Sequence, residues 1–246
     1  MPQESNQRIS GVRTATLIAA LLVGALILVI GLIASQRASS PAAEGSGVVV
    51  TEEPSGQEDE VFDLSRRIAD DPLALGAIDA PVVLVEYADY RCPFCGVFSR
   101  ETLPALVDEY VASGELRIEW RDLPVFGAES HDAAVAGRAA GEQDKFWEFN
   151  EAVFAAAPER GHISLPREEL IRIAEEVGVA DLAAFTADLD SEALEQAVQA
   201  DAEEAAALGA TGTPLFLVND IPISGAQPLE VFEQTIDAVL AETSSR

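Results

Sequence analysis

The sequence predicts an α/β domain that is interrupted by a helical insert and preceded by a single transmembrane helix. Three patterns support this prediction. An uncharged apolar run occupies residues 14–35, strand-like segments lie at residues 82–87, 116–120 and 215–224, and helical periodicity fills residues 131–208. A chain of 246 residues has room for one folded domain that carries such an insert.

The N-terminal apolar run predicts a membrane anchor at residues 14–35, because a helix of about 22 residues spans a bilayer. Arg8 and Arg13 precede it, so the positive-inside rule places residues 1–13 in the cytoplasm as a short tail. A cleavable signal peptide is the alternative, although its apolar core is normally about 7 to 15 residues long. Both interpretations predict an extracytoplasmic domain, and the first predicts a single-pass protein of the cell membrane.

The segment that follows the anchor, residues 36–67, is rich in Ser, Gly, Pro and Glu and predicts a flexible linker. The first strong strand is then 82–87, whose nearly continuous apolar run is typical of a buried central strand. Apolar residues at helical spacing predict a helix from Pro93 to about Ser113, which Pro104 should kink. A second strand at 116–120 completes a right-handed parallel unit.

The remainder of the chain predicts the insert and a second half of the main domain. Three or more helices fit residues 131–208, and two short strands at 215–218 and 221–224 predict a hairpin. A final helix is predicted by apolar residues from Leu229 to Leu240. We therefore assign residues 68–130 and 209–246 to the main domain.

The composition excludes one class of partner and indicates little else. The formal net charge is −28, so a nucleic acid is not an expected partner. Such acidity keeps a protein soluble, and we expect a monomer. The charge does not indicate a substrate.

The only two cysteines, Cys92 and Cys95, form a CxxC motif where the first strand meets the first helix. The amino end of a helix offers unpaired N–H groups and a positive dipole end, which favour a thiolate at Cys92 and make it the predicted nucleophile. Cys95 lies one turn further on and is the predicted resolving thiol. Zinc is disfavoured because only His131 and His162 could complete a site, and copper(I) on the two thiols is a second alternative. We expect no metal.

Three segments carry a family resemblance: EYADYRCPFC, FWEFNEAVF and GATGTPLFLVNDIPISGAQP resemble the DsbA-like thiol:disulfide oxidoreductases, in the family's order, over roughly residues 70–245. The resemblance implies a thioredoxin-like fold with a helical domain inserted between its halves, and a cis bond at Thr213-Pro214. It also implies that Thr213 and Pro214 bind substrate beside the redox pair, and that no cofactor is needed besides the Cys92-Cys95 disulfide.

Two further positions follow from the resemblance. Glu86 stands where the family has a buried carboxylate that helps to move protons at the resolving cysteine, whereas a solvated strand end is the alternative. Pro93 and Phe94 fill the motif and are expected to meet substrate. Because Phe94 replaces the histidine of some members, we expect a less oxidising couple. Arg91 could supply a positive charge instead, although a solvated arginine is the simpler interpretation.

Together these features predict an enzyme that forms disulfides in exported, cysteine-containing polypeptides. The resemblance implies a membrane partner, DsbB-like or similar to vitamin K epoxide reductase, that reoxidises the pair. One alternative is a reductase or isomerase that a membrane donor supplies with electrons. Another is a non-catalytic binding or chaperone module, in which the cysteines would be incidental.

Overall fold

A computed structural model of the chain describes residues 63–245. The predicted cytoplasmic tail, the predicted anchor and the linker up to residue 62 lie outside these residues. Within the described part, none of the helices has the length and apolar character needed to cross a membrane.

A five-stranded mixed sheet forms the centre of the domain. Its strands are β1 (Ala74–Leu75), β2 (Val82–Ala88), β3 (Leu116–Asp122), β4 (Leu215–Val218) and β5 (Ile221–Ser224), in the order β1-β3-β2-β4-β5. β2 runs parallel to β3, and the other neighbouring pairs are antiparallel. Every residue of β2 is buried, which explains its nearly continuous apolar run. The sequence did not predict β1, whose two residues are too few to show a period.

The helix after β2 alternates between α-helical and π-helical turns. α1 (Pro93–Val97) continues into a π-helical turn (Phe98–Thr102), then α2 (Leu103–Leu106) and a second π-helical turn (Val107–Val111). Pro104 lies just inside α2 and has no N–H to offer the preceding turn, so a widened turn ahead of it satisfies the geometry. The predicted helix is thus present, with wider turns on both sides of the proline.

Five helices separate β3 from β4 and form the part that we call the helical insert: α3 (Ala128–Gly141), α4 (Phe146–Ala156), α5 (Arg167–Glu176), α6 (Leu182–Asp188) and α7 (Glu192–Ala207). α4 presents buried aromatic side chains to a core that also contains Tyr90 and both cysteines. The hydroxyl of Tyr90 lies so close to Gly137 of α3 that a Cβ at this position would overlap it. The insert is therefore packed directly against the CxxC segment.

The two faces of the sheet are covered by different elements. Val82 and Leu84 of β2 pack on one face with the first π-helical turn, α2 and the last helix, α8 (Leu229–Ser244). Val83 and Val85 point to the other face, together with Ala205 of α7. This alternation is the period of two expected of a β-strand.

Buried charges line the second face along β3. Glu119 is fully buried and accepts hydrogen bonds from the guanidinium groups of Arg117 and Arg121, at 2.8 Å each. The same carboxylate accepts the backbone N–H groups of Arg66 and Arg67, both at 2.9 Å. Residues 63–67, which the sequence placed in the linker, are therefore attached to the sheet, and the folded domain begins earlier than predicted.

A second buried group of charges connects β3 to the helical insert. Arg138 of α3 donates to Asp122 at 2.6 Å and also to Asp201 of α7. The side chain of Arg138 is 13% exposed, and each of the two carboxylates is 1% exposed. Because these charges have little contact with water, their mutual pairing is what makes their burial tolerable.

Candidate functional site

The two cysteines, called here the redox pair, lie where β2 ends and α1 begins. Cys92 is the N-cap residue of α1 and Pro93 occupies its first turn, where a missing N–H is harmless. A bond from the Cys92 N–H to the Asp89 carbonyl, at 3.0 Å, fixes the entry to the helix. The sulfur of Cys92 therefore faces the unpaired amide groups of the helix amino end, as the sequence predicts.

The pKa of Cys92 is lowered to about 6. The hydrogen bond from the Cys95 thiol is the largest cause, and the Thr213 side chain and the N–H groups of Phe94 and Cys95 lower this pKa further. Burial of the Cys92 side chain raises its pKa and so opposes these contributions. The contact of the Cys92 thiol with the Thr213 carbonyl, at 3.3 Å, also favours the protonated form, but the donors outweigh it. Cys92 is therefore largely a thiolate at neutral pH.

Cys95 behaves in the opposite way. It is fully buried, and this burial, followed by the adjacent Cys92, raises its pKa well above that of a free thiol. Both cysteines are free thiols in the structure. The pair thus combines a stabilised thiolate with a thiol that keeps its proton, an asymmetry suited to thiol–disulfide exchange.

Thr213 and Pro214 lie across from the redox pair, at the start of β4. Their peptide bond is cis, as the family resemblance implies. Pro214 is buried and Thr213 is partly buried. The 3.3 Å contact between the Cys92 sulfur and the Thr213 carbonyl brings a residue 121 positions away against the nucleophile candidate.

Phe94 is the most exposed large apolar side chain of the described residues, at 62%. Pro93 beside it is partly buried, whereas Cys92 as a whole residue is only 2% exposed. A partner that reaches the Cys92 sulfur would therefore cover the Phe94 ring first. This arrangement fits the predicted contact of Pro93 and Phe94 with substrate.

Glu86 lies on the same face of β2 as Val82 and Leu84, and it is 2% exposed. Its strand neighbours are Trp120 on β3 and Phe216 on β4, both fully buried. Burial alone raises the pKa of Glu86 to about 8, so the carboxyl keeps its proton at neutral pH. The alternative of a solvated strand end is wrong. Its charge would also raise the pKa of Cys95, which indicates that the two groups are close enough to interact.

Comparisons with known proteins agree with this geometry. The thioredoxin family model matches residues 69–238. A probable disulfide bond formation protein D from Bacillus anthracis is 32% identical over 149 residues, which are 59% of this chain and 69% of the relative. This chain is a DsbA-like thiol:disulfide oxidoreductase.

Solved structures of this family support the same assignment. Oxidised BdbD from Bacillus subtilis superposes with a TM-score of 0.65 at 26% identity, over 70% of this chain and 94% of that one. The α-DsbA1 protein of Wolbachia pipientis gives a TM-score of 0.63 at 25% identity, over 70% and 92% of the two chains. The predicted thioredoxin-like α/β fold is confirmed, and the DsbA-like enzyme is built on it.

The metal alternatives gain no support from the described residues. Between residues 63 and 245, no group of three or more His, Cys, Asp and Glu side chains is close enough to hold a metal ion. His131 lies within α3, and His162 lies in the loop before α5.

The sequence did not identify the polar residues that hold the segment before Cys92. Asp89 is buried, and its carboxylate accepts the N–H of Arg91 at 2.7 Å and that of Val125 at 2.6 Å. Arg91 is not a solvated arginine, because its guanidinium donates to the carbonyls of Phe126 at 2.7 Å and Ile163 at 2.9 Å. The position of Asp89 just after a buried strand could have indicated that its carboxylate binds nearby backbone N–H groups. The carbonyls that Arg91 binds belong to residues 35 and 72 positions away, so no local sequence pattern indicated these contacts.

Proposed function

We propose that this protein oxidises dithiols to disulfides in exported polypeptides, on the extracytoplasmic side of the cell membrane, through Cys92 and Cys95. The observation that carries the proposal is the asymmetry of the redox pair. The pKa of Cys92 is lowered to about 6, whereas that of Cys95 is raised. A low-pKa thiolate is a good leaving group, so electrons flow readily from substrate thiols into the pair.

The proposed reaction begins with the disulfide form of the pair. A substrate thiolate attacks the Cys92 sulfur, the Cys92–Cys95 bond breaks, and Cys95 leaves and takes up a proton. A second substrate thiolate then attacks the substrate sulfur of the mixed disulfide, and Cys92 leaves as a thiolate. The substrate loses two electrons and gains a disulfide, while the pair gains the two electrons.

Glu86 is the proposed proton source for Cys95. A carboxyl with a pKa of about 8 is protonated at neutral pH. Its strand neighbour Trp120 belongs to the same buried cluster as Cys95, which supports a position of Glu86 on the side of the resolving thiol. Cys95 needs a proton when it leaves because its own pKa is high. Thr213, Pro214, Pro93 and Phe94 would hold the substrate chain against the pair.

The location and the partner rest on the sequence and on the names of the relatives. The uncharged run at residues 14–35 follows two arginines, which supports a cytoplasmic N-terminus and an exported domain. Relatives named for disulfide bond formation support the oxidising direction. The reduced pair would return its electrons to a membrane protein of the DsbB type or the vitamin K epoxide reductase type.

The direction is tested by the reduction potential of the Cys92–Cys95 couple in a glutathione buffer. We expect a value above roughly −200 mV, together with oxidation of a reduced, unfolded two-cysteine protein. The Cys92→Ser variant should lose this activity, and Cys95→Ser should accumulate mixed disulfides that mass spectrometry identifies. A potential near −270 mV (approximately that of thioredoxin) without oxidase activity would instead favour the reductase alternative.

The binding-module alternative and the location have their own tests. A chaperone that only binds would retain its effect in Cys92→Ser, whereas the proposed enzyme would not. For the location, protease added to intact cells should cleave the full-length chain in the 36–62 segment and release the folded domain. Protection from protease in intact cells would contradict an extracytoplasmic domain.

A further inference from the structure

The residue just before the nucleophile candidate is held by a histidine from the helical insert. His162 lies in the loop between α4 and α5, and its Nδ1–H donates to the carbonyl oxygen of Arg91 at 2.8 Å. The imidazole also stacks on the ring of Phe126, with centroids 4.3 Å apart. His162 thus contacts both the loop that carries Cys92 and the loop that leads into α3.

Arg91 reinforces this contact from the other side. Its guanidinium donates to the carbonyl of Ile163, the neighbour of His162, and to the carbonyl of Phe126, the residue under the imidazole. Two loops distant in sequence are therefore joined at Arg91, one peptide bond from Cys92. An exposed histidine held by both a hydrogen bond and a ring contact has a defined place relative to the redox pair.

We propose that His162 is a positioning residue for the redox pair, which fixes the Arg91 carbonyl and supplies a titratable positive charge at the residue that precedes Cys92. This inference rests on the proposed role of Cys92. It also offers a physical counterpart to the replacement of the motif histidine of some family members by Phe94, which carries no charge. The charge that some family members hold inside the motif would here come from the insert.

The electrostatic surroundings of His162 are mixed. The Arg91 guanidinium is the nearest cation from the β2–α1 loop, and it lies 3.6 Å from the carboxylate of Glu129 on α3. Asp89 is buried against the N–H groups of Arg91 and Val125, and Glu159 and Arg160 are exposed on the loop of His162 itself. Oxidation or reduction of the pair does not change these two cations and three anions, so the redox state of the pair is the variable charge.

Coupling between two titrating groups is reciprocal, so it can be read from either side. We expect the titration midpoint of His162, followed by proton NMR of its imidazole, to be higher in the reduced protein than in the oxidised protein. Two unit charges several ångströms apart, screened as in bulk water, produce a difference of about 0.5 pH unit.

Variants of His162 separate the effect of its charge on Cys92 from the effect of its shape. His162→Asn retains a donor at the position of Nδ1 but has no charge, so the midpoint of Cys92, followed by thiolate absorbance at 240 nm, should rise by about 0.5 pH unit. His162→Lys restores a cation without the aromatic ring and should keep the midpoint low.

The inference is overturned if His162 titrates identically in both redox states, or if the Asn and Lys variants give the same Cys92 midpoint. These failures differ from failure of the proposed function. A wild-type Cys92 that does not exchange with small disulfides removes the function itself, whereas exchange without coupling removes only the role of His162.

Discussion

Replacing Glu86 by glutamine should make the free energy of unfolding less dependent on pH. In the folded protein, burial raises the pKa of Glu86 from 4.5 to about 8. The unfolded chain releases this proton near its ordinary pKa, so it binds fewer protons than the folded chain between the two values. Stability must then fall as the pH rises through this window. The oxidised protein is the right sample, because its cysteines do not titrate.

The size of the effect follows from the two pKa values. One pKa unit corresponds to about 1.4 kcal/mol, so between pH 5 and pH 8 the wild-type protein should lose about 3 kcal/mol relative to Glu86→Gln. Urea unfolding at the two pH values measures this difference. Glu101→Gln, at an exposed position on the helix after β2, should keep the wild-type slope. Equal slopes in wild type and Glu86→Gln would refute the buried, protonated carboxyl.

Three other predictions concern the redox pair, the packing of the insert and the buried charges. The rate of Cys92 alkylation by iodoacetamide should rise with a midpoint near pH 6, and a midpoint above pH 8 would contradict the stabilised thiolate. Gly137→Ala should destabilise the protein by about 1–3 kcal/mol in urea, because the new methyl group meets a buried hydroxyl, whereas Gly212→Ala has open space around it. Arg138→Met should lower the unfolding free energy by about 3–5 kcal/mol, since it leaves the buried Asp122 without a cationic partner and Asp201 with Arg66 alone, and Arg172→Met, in an exposed ion-pair group, should change it far less. Equal effects in either matched pair would refute the corresponding argument.

The local parts of the fold were predictable from the sequence. Predicted strands at 82–87 and 116–120 extend by one and two residues, to Ala88 and Asp122, and the two hairpin strands have the predicted bounds. These segments show period-two or continuous apolar patterns, which depend on neighbours in the chain. The position of Cys92 at a helix start could be predicted for the same reason.

The features of the structure that the sequence did not predict depend on contacts between segments that are distant in the chain. Arg117, Glu119 and Arg121 alternate along β3 like the polar side of a half-exposed strand, yet α7 and the segment before β1 cover them. Only the tertiary structure reveals that this face is buried. His162 lies 71 residues from Arg91, so no local pattern could place it beside the redox pair.

The hydrogen bonds from the backbone of Arg66 and Arg67 to Glu119 have a mechanical consequence. Tension applied to the polypeptide ahead of Asp63 reaches β3 first, where it is distributed over buried ion pairs and a seven-residue parallel ladder with β2. The loop that carries Cys92 follows the carboxyl end of β2, three positions along the ladder from the pairing of Glu119 with Val85. A pull on the chain ahead of Asp63 would therefore act on the buried ion pairs of β3 before it acts on the segment that carries Cys92.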